Sequence, residues 1–341
     1  MKLADSNRLN SEPLVRLMTV EPFLSHVRSR GVDTRSAFAS MGLNEKEVGD
    51  PDRLVHAEVV YGLTINLAAA AKDPYLGVSV GEEYDVMTWP HWADAIRNSQ
   101  ALAGFLIQLI ESTKKLSSAV THSLEVTAQS TTYRADRIST GGNSCGQVDG
   151  FGLATYLRLF GQMNSLDWSP TEIRYETATP EAIPPNYKGI AVSRAEPGTV
   201  KLIFPTTWLH SRLSPVRIPR PEQALELETP SIALAVKNVA SDIFAMDKGD
   251  MKPTVASRLG LSTCDLDAAL KKVGTTFNQV MLAHRLETAK SALSGTDNDI
   301  AEIGRKLGFA NAANFTRFFK SREGVTPRKY RKSLTLGKNS D

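Results

Sequence analysis

The fold class predicted is multidomain, an α+β N-terminal domain followed by an all-α domain that carries two helix-turn-helix units. Three observations predict it. Strand-like alternation and helical periodicity mix up to about residue 212, whereas the chain beyond residue 229 is helical throughout. Formal charge divides at the same place, −4 over residues 1–228 and +7 over residues 229–341. A short unit of helix, glycine turn and helix also occurs twice near the C-terminus, 48 residues apart.

The N-terminal 80 residues read as helices. LVRLMTVEPFLSHVRSRG has apolar residues at helical spacing and stops at Gly31. DTRSAFASMG follows, capped by Asp33 or Thr34 and stopped by Gly42. HAEVVYGLTINLAAAAKDP is a third helix, ended by its Asp-Pro. SQALAGFLIQLIESTKKLSS is a fourth, with Ser99 as its cap. HSLEVTAQ and TTYRADRI alternate and read as a hairpin turning near Ser130. GGNSCGQ is a loop, VDGFGLATYLRLFGQMN a helix, and TEIRYETA and TVKLIFP are further strands. These elements make residues 1–212 one α+β domain. A connector rich in proline and arginine spans 213–229. Helical stretches fill 230–335, and 336–341 is a tail.

The repeat decides what the second domain is. Leu259-Gly260-Leu261 recurs as Leu307-Gly308-Phe309, with Val255 and Ala256 matching Ile303 and Gly304. Leu266 and Leu270 then match Phe315 and Phe319, and both copies end in Gly-x-Thr. A helix-turn-helix needs a small residue where its helices meet and a turn residue that tolerates positive φ. Ala256 and Gly304 supply the first, Gly260 and Gly308 the second.

The second helix of each copy must bury one face and offer the other to a groove. In the second copy Phe315, Phe318 and Phe319 share a face, opposite Ala312, Ala313, Thr316, Arg317 and Lys320, with Asn311 as the cap. Arg317 reaches guanine edges or phosphate, and Thr316 a phosphate or a thymine methyl. Arg328, Lys329, Arg331 and Lys332 suit backbone phosphates. In the first copy Leu266, Ala269, Leu270 and Val273 form the expected buried face, and Thr263, Cys264, Asp267, Ala268, Lys271 and Lys272 the outward one. Asp267 is an awkward neighbour for a polyanion, and Ala268 stands where the second copy has Arg317. The second unit is therefore expected to dominate affinity for double-stranded DNA.

Other functions find little support. Two cysteines, Cys145 and Cys264, exclude a disulfide scaffold and a thiolate-rich metal site, and they fit a reducing cytoplasm. The six histidines lack metal-ligand spacing. No signal peptide, membrane span, phosphate loop or nucleophile elbow is present, so neither an enzyme nor a cofactor is expected. Trp89-Pro90-His91-Trp92 is the most aromatic spot in the first domain. It reads either as a core cluster at a helix start or, through Trp89, His91 and Trp92, as lining of a small-molecule pocket.

Residues 300–331, IAEIGRKLGFANAANFTRFFKSREGVTPRKYR, resemble the second helix-turn-helix of AraC/XylS-type regulators. The likeness rests on Ile303, Leu307-Gly308-Phe309, Asn314-Phe315, Arg317, Phe319-Lys320, Gly324, Thr326-Pro327 and Tyr330-Arg331. RLETAKSAL resembles that family's linker helix. DPYLGVSVGE, the helix over 99–118 and TVKLIFPTTWLHSRL are similar to the α+β, arabinose-binding-like effector domain of one branch. The resemblance implies a bacterial transcription regulator whose two recognition helices enter adjacent major-groove segments, about 34 Å apart. It also implies contact with RNA polymerase, as an activator makes. The first domain would then sense a small molecule, or serve only for homodimerisation or contact with another protein.

Overall fold

The structure, a computed structural model, describes residues 12–85, 90–138, 144–161, 168–212, 228–243, 251–295 and 298–338. The chain divides into two compact units, Met1–Ser231 and Ile232–Asp341. The first is α+β and the second all-helical. Residues 213–227 of the expected connector lie outside the described residues.

The first unit begins differently from the single helix expected over 14–31. Leu14–Arg16 is a strand, β1, followed by a 3-10 turn over Leu17–Val20 and helix α1, Glu21–Ser29. β1 pairs antiparallel with β2, Leu54–His56, and all three of its residues are buried. Pro22 sits in the first turn of α1, where no amide hydrogen is needed, and so defines the helix start. Helix α2, Arg35–Ala39, and helix α3, Ala57–Ala71, follow as predicted.

Helices α4, Leu76–Glu83, α5, Pro90–Arg97, and α6, Leu102–Thr113, come next. The expected cap at Ser99 is not used: Ala101 precedes α6 without a side-chain cap, and Leu102 N donates to Ser211 O at 3.0 Å. A tertiary partner thus satisfies an amide that a local side chain was expected to take. The chain then forms β3, Val120–Val126, β4, Ser130–Arg137, helix α7, Gly146–Gly161, β5, Arg174–Thr177, β6, Ala191–Arg194, and β7, Thr199–Pro205. The turn at 127–130 closes the predicted hairpin.

β3 to β7 form one five-stranded sheet in the order β3-β4-β7-β5-β6, antiparallel except for the β5–β6 pair. Side chains alternate across it. Tyr133, Ala135, Leu202, Phe204 and Tyr175 face inward onto Phe105, Leu153, Leu157 and Phe160 of α6 and α7. Lys201 and Glu176 pair across neighbouring strands at 2.7 Å on the other face. Helices α4 and α7 pack closely, because a Cβ at Gly77 would lie 1.9 Å from Gln147 O and one at Gly81 2.7 Å from Phe151 O. A second core gathers Phe23, Leu24, Phe38, Leu63 and Leu67 between α1, α2 and α3.

The second unit consists of α8, Ile232–Ile243, α9, Met251–Leu259, α10, Thr263–Lys272, α11, Phe277–Gly295, α12, Ile300–Lys306, α13, Ala312–Glu323, and α14, Pro327–Lys338. α8 buries Ile232, Ala235, Val236, Val239 and Ile243 at helical spacing, and α9, α10 and α11 pack on it. α11 continues to α12 and α14, so one long helix serves both halves of the unit. α14 runs on to Lys338, into the expected tail.

Candidate nucleic-acid interface and internal cavity

Two helix-turn-helix pairs stand on α11. In the second, α12 ends and Gly308 turns the chain at φ +79°. Asn311 then caps α13, its Oδ1 accepting from Asn314 N at 2.9 Å. Phe315 and Phe319 are fully buried against Ala289, Leu293, Ile303 and Leu307, and Phe318 and Tyr330 flank them. Gly304 makes this possible: a Cβ there would lie 2.9 Å from the Cβ of Phe315. Burial of α13 on that side leaves Asn311, Ala313, Arg317 and Lys320 exposed on the other, with Ala312 and Thr316 half-buried beside them. Arg317 Nη2 donates to Asn314 Oδ1 at 2.6 Å, one turn back along the helix.

The first pair repeats the geometry with different chemistry. Gly260 turns the chain at φ +76°, and Ser262 caps α10 by accepting from Asp265 N at 3.1 Å. Leu266, Ala269 and Leu270 are buried, but Val273 is 50% exposed, so the expected inward face is one residue shorter than its spacing indicated. The helix stops at Lys272, and Val273 has already left its register. Thr263, Cys264, Asp267, Ala268, Lys271 and Lys272 are exposed. Asp267 is not alone, because the Lys252 ammonium of α9 is hydrogen-bonded to its carboxylate.

The basic tail divides. Arg328, Lys329 and Lys332 are exposed, whereas Arg331 is half-buried and donates from Nη2 to Asn298 O at 2.8 Å. Arg285 of α11 lies over the Phe309 ring, 5.6 Å from its centroid, and burial lowers its pKa. Neither contact is legible from sequence, since the first depends on how α14 meets the loop before α12 and the second on how α11 meets the second pair.

The first unit contains a half-open cavity of about 220 Å³ between the sheet, α3, α6 and α7. Of the three aromatic-cluster residues expected in a pocket, Trp92 lines it, packed on Phe105 and Tyr156 at ring distances of 5.3 and 5.5 Å. Trp89 lies outside the described residues, and for His91 only helical backbone is described. Sequence reasoning missed the polar groups of the wall. Arg137 Nη2 donates to Asp149 Oδ1 at 2.5 Å, and Thr177 Oγ1 donates to the other carboxylate oxygen at 2.5 Å. His122 Nδ1 and Tyr133 Oη are 2.8 Å apart. The one sequence signal was Asp149, the sole carboxylate on a mostly apolar helix.

Residues 31–213 match the arabinose-binding domain of AraC transcription regulators, and residues 255–333 match a helix-turn-helix domain. This chain belongs to the AraC family of transcription regulators. A likeness of 31% over 108 residues extends to the probable transcription factor PqrA of Proteus vulgaris, covering 29% of this chain and 88% of that protein. The HTH-type transcriptional regulator YtdP of Bacillus subtilis is 38% identical over 78 residues, 23% of this chain and only 10% of its own length. The crystal structure of the transcriptional regulator CdpR from Pseudomonas aeruginosa is similar over 92% of this chain and 98% of that one, at 13% identity and a TM-score of 0.36. As a member of the AraC family, the chain is a regulator that binds double-stranded DNA through its helix-turn-helix region, and not an enzyme. None of its described helices is long and apolar enough to cross a membrane. Among the described residues, no group of three or more His, Cys, Asp and Glu side chains is placed to hold a metal.

Proposed function

We propose that α13 and α10 enter successive major-groove segments, and that occupancy of the cavity in the first unit biases the chain between states of different DNA affinity. On α13, Arg317 reads a base edge, Thr316 and Ala313 allow close approach, and Asn311, Ala312 and Lys320 lie along the backbone. On α10, Thr263, Cys264, Ala268, Lys271 and Lys272 face the DNA and Asp267 borders it. Arg328 adds a phosphate contact, while Arg331 acts through its hold on Asn298. The observation that carries the DNA half is the fully buried Phe315–Phe319 face, which leaves Arg317 and Lys320 outward.

The sensing half rests on the cavity and on one connection from its wall. Val15 lines the cavity, and the guanidinium of the next residue, Arg16, is wholly buried. Arg16 donates to Pro51 O at 2.6 Å, to Lys115 O at 2.8 Å and to Glu228 O at 2.6 Å. Glu228 belongs to the same compact unit as the cavity and precedes α8 by four residues in the sequence. Homodimerisation and contact with RNA polymerase as an activator belong to the same proposal by family resemblance.

The test is binding of the purified chain to genomic DNA fragments at two salt concentrations, with Arg317→Ala as the control. Selected fragments that survive high salt and are lost by Arg317→Ala support sequence reading. Uniform binding that salt abolishes overturns it. A metabolite-library thermal shift addresses sensing, since a ligand of the folded state raises the melting temperature. A library that leaves the melt unmoved, with a dimer in solution, favours a purely oligomerising first unit.

A further inference from the structure

Helix α7 lays a stripe along the cavity in which two positions are unusual. At Gly152 a Cβ would meet nothing within 4 Å, although the site is mid-helix and lines the cavity. One turn later Thr155 is 1% exposed, lines the same cavity, and its Oγ1 has no hydrogen-bond partner. A buried hydroxyl without a partner is a penalty that a bound molecule would relieve. A helical glycine facing empty space preserves room that any side chain would fill.

The rest of the wall restricts what that molecule is. Of the lining residues only Arg137 and Asp149 carry a full charge, and they bind each other at 2.5 Å, so neither is spare for an ionic ligand. Thr19, Thr64 and Thr113 also line the cavity, but their hydroxyls already donate to the carbonyls of Arg16, Tyr61 and Ile110. Phe23, Trp92, Phe151 and Tyr156 supply aromatic surface. A free sugar would bury several hydroxyls here against ring faces, and a carboxylate would meet no unpaired cation.

We propose that this cavity takes an uncharged, mostly apolar ring compound with one hydrogen-bonding group, met by Thr155 Oγ1. An apolar cavity of about 150 Å³ accepts benzene, so the space here holds about nine non-hydrogen atoms by proportion. The inference rests on the sensing role proposed above and adds to it the chemical class of the effector. That class differs from the sugar in the matching domain's description.

The probes are indole, indene, benzoate and L-arabinose, each added alone to the full chain and followed by thermal shift and titration calorimetry. Indole and indene have the same size and differ by one N–H. Indole should bind saturably, and indene at least about fivefold more weakly, the worth of one neutral hydrogen bond. In Thr155→Val, a same-shape change at a hydroxyl with no protein partner, indole should fall to the affinity of indene. Gly152→Leu should bind neither. If Gly152→Leu fails to fold, the Thr155→Val comparison decides.

Binding of benzoate or L-arabinose that Gly152→Leu removes overturns the ligand class and leaves the sensing role intact. Indole binding that survives Gly152→Leu, or no binding by any probe, overturns the site or the class. The sensing role is read separately, by the chain's affinity for its selected DNA fragment with and without indole. Indole that binds as described but leaves DNA affinity unchanged sinks the sensing role and keeps the ligand class.

Discussion

The Lys252 ammonium on α9 is held by the Asp267 carboxylate on α10, the one acid in the middle of the outward helix face of the first helix-turn-helix pair. The pair spans the two helices of a helix-turn-helix. It cancels a negative charge that would otherwise face a polyanion, and it also occupies a cation that phosphate would attract. Both side chains are partly solvated, so the pair itself is worth at most about 1 kcal/mol to stability.

Asp267→Asn should therefore leave the melt nearly unchanged and tighten DNA binding. Release of Lys252 toward phosphate should steepen the dependence of log affinity on log salt by about one. Titration of one DNA fragment over a salt series measures this. An unchanged slope means that α10 lies too far from the backbone for Lys252 to reach it.

Arg317→Ala and Lys271→Ala compare the two helices directly. Arg317 is exposed on α13 and steered by Asn314, whereas the matching place on α10 is Ala268. Arg317→Ala should weaken a selected fragment by about 1–3 kcal/mol and relax its sequence preference. Lys271→Ala should weaken all fragments alike and by less. The reverse order in a gel-shift titration would make the first helix-turn-helix pair the principal reader.

Gly304→Ala tests the packing beneath α13. The added methyl would lie 2.9 Å from the Cβ of Phe315, which is itself fully buried, so it has nowhere to move. Overpacking of this kind costs about 1–3 kcal/mol, and chemical denaturation of the full chain should show it. Gly304→Ala with unaltered stability would mean that α12 and α13 separate freely.

The two thiols should separate by pH. Burial pushes the Cys145 thiol up to about 11, whereas Cys264 stands exposed on α10. Thiolate is the reacting form, so Cys145 should stay slow toward a maleimide at pH 7–8 and quicken only as pH climbs toward about 11. Cys264 should label readily, and bound DNA should protect it. Peptide mass mapping with and without DNA checks both. Cys264 labelled equally fast in the complex would place α10 outside the groove.

Most of the second unit was legible in the sequence because its information is local. Apolar spacing located α8 to α14, glycines marked the sharp turns, and the repeat identified the pairs. The outward face of α13 followed once Phe315 and Phe319 were placed inward. The first unit was less legible where partners are distant. β1 and β2 are three residues each and exist because they pair across 37 intervening positions, Arg16 opposite Leu54 being the innermost pair.

By itself the sequence determined the α+β and all-helical halves, the two helix-turn-helix units and the outward faces of α10 and α13. These depend on periodicity, charge and turn chemistry within a few residues of one another. Only the tertiary structure decided that Lys252 neutralises Asp267, that Arg331 turns inward to Asn298, and that Gly152, Thr155, Arg137 and Asp149 meet around one cavity. Those outcomes depend on which faces of separate helices and strands come together. The sequence pattern of any one element does not record the side chains packed against it from the others.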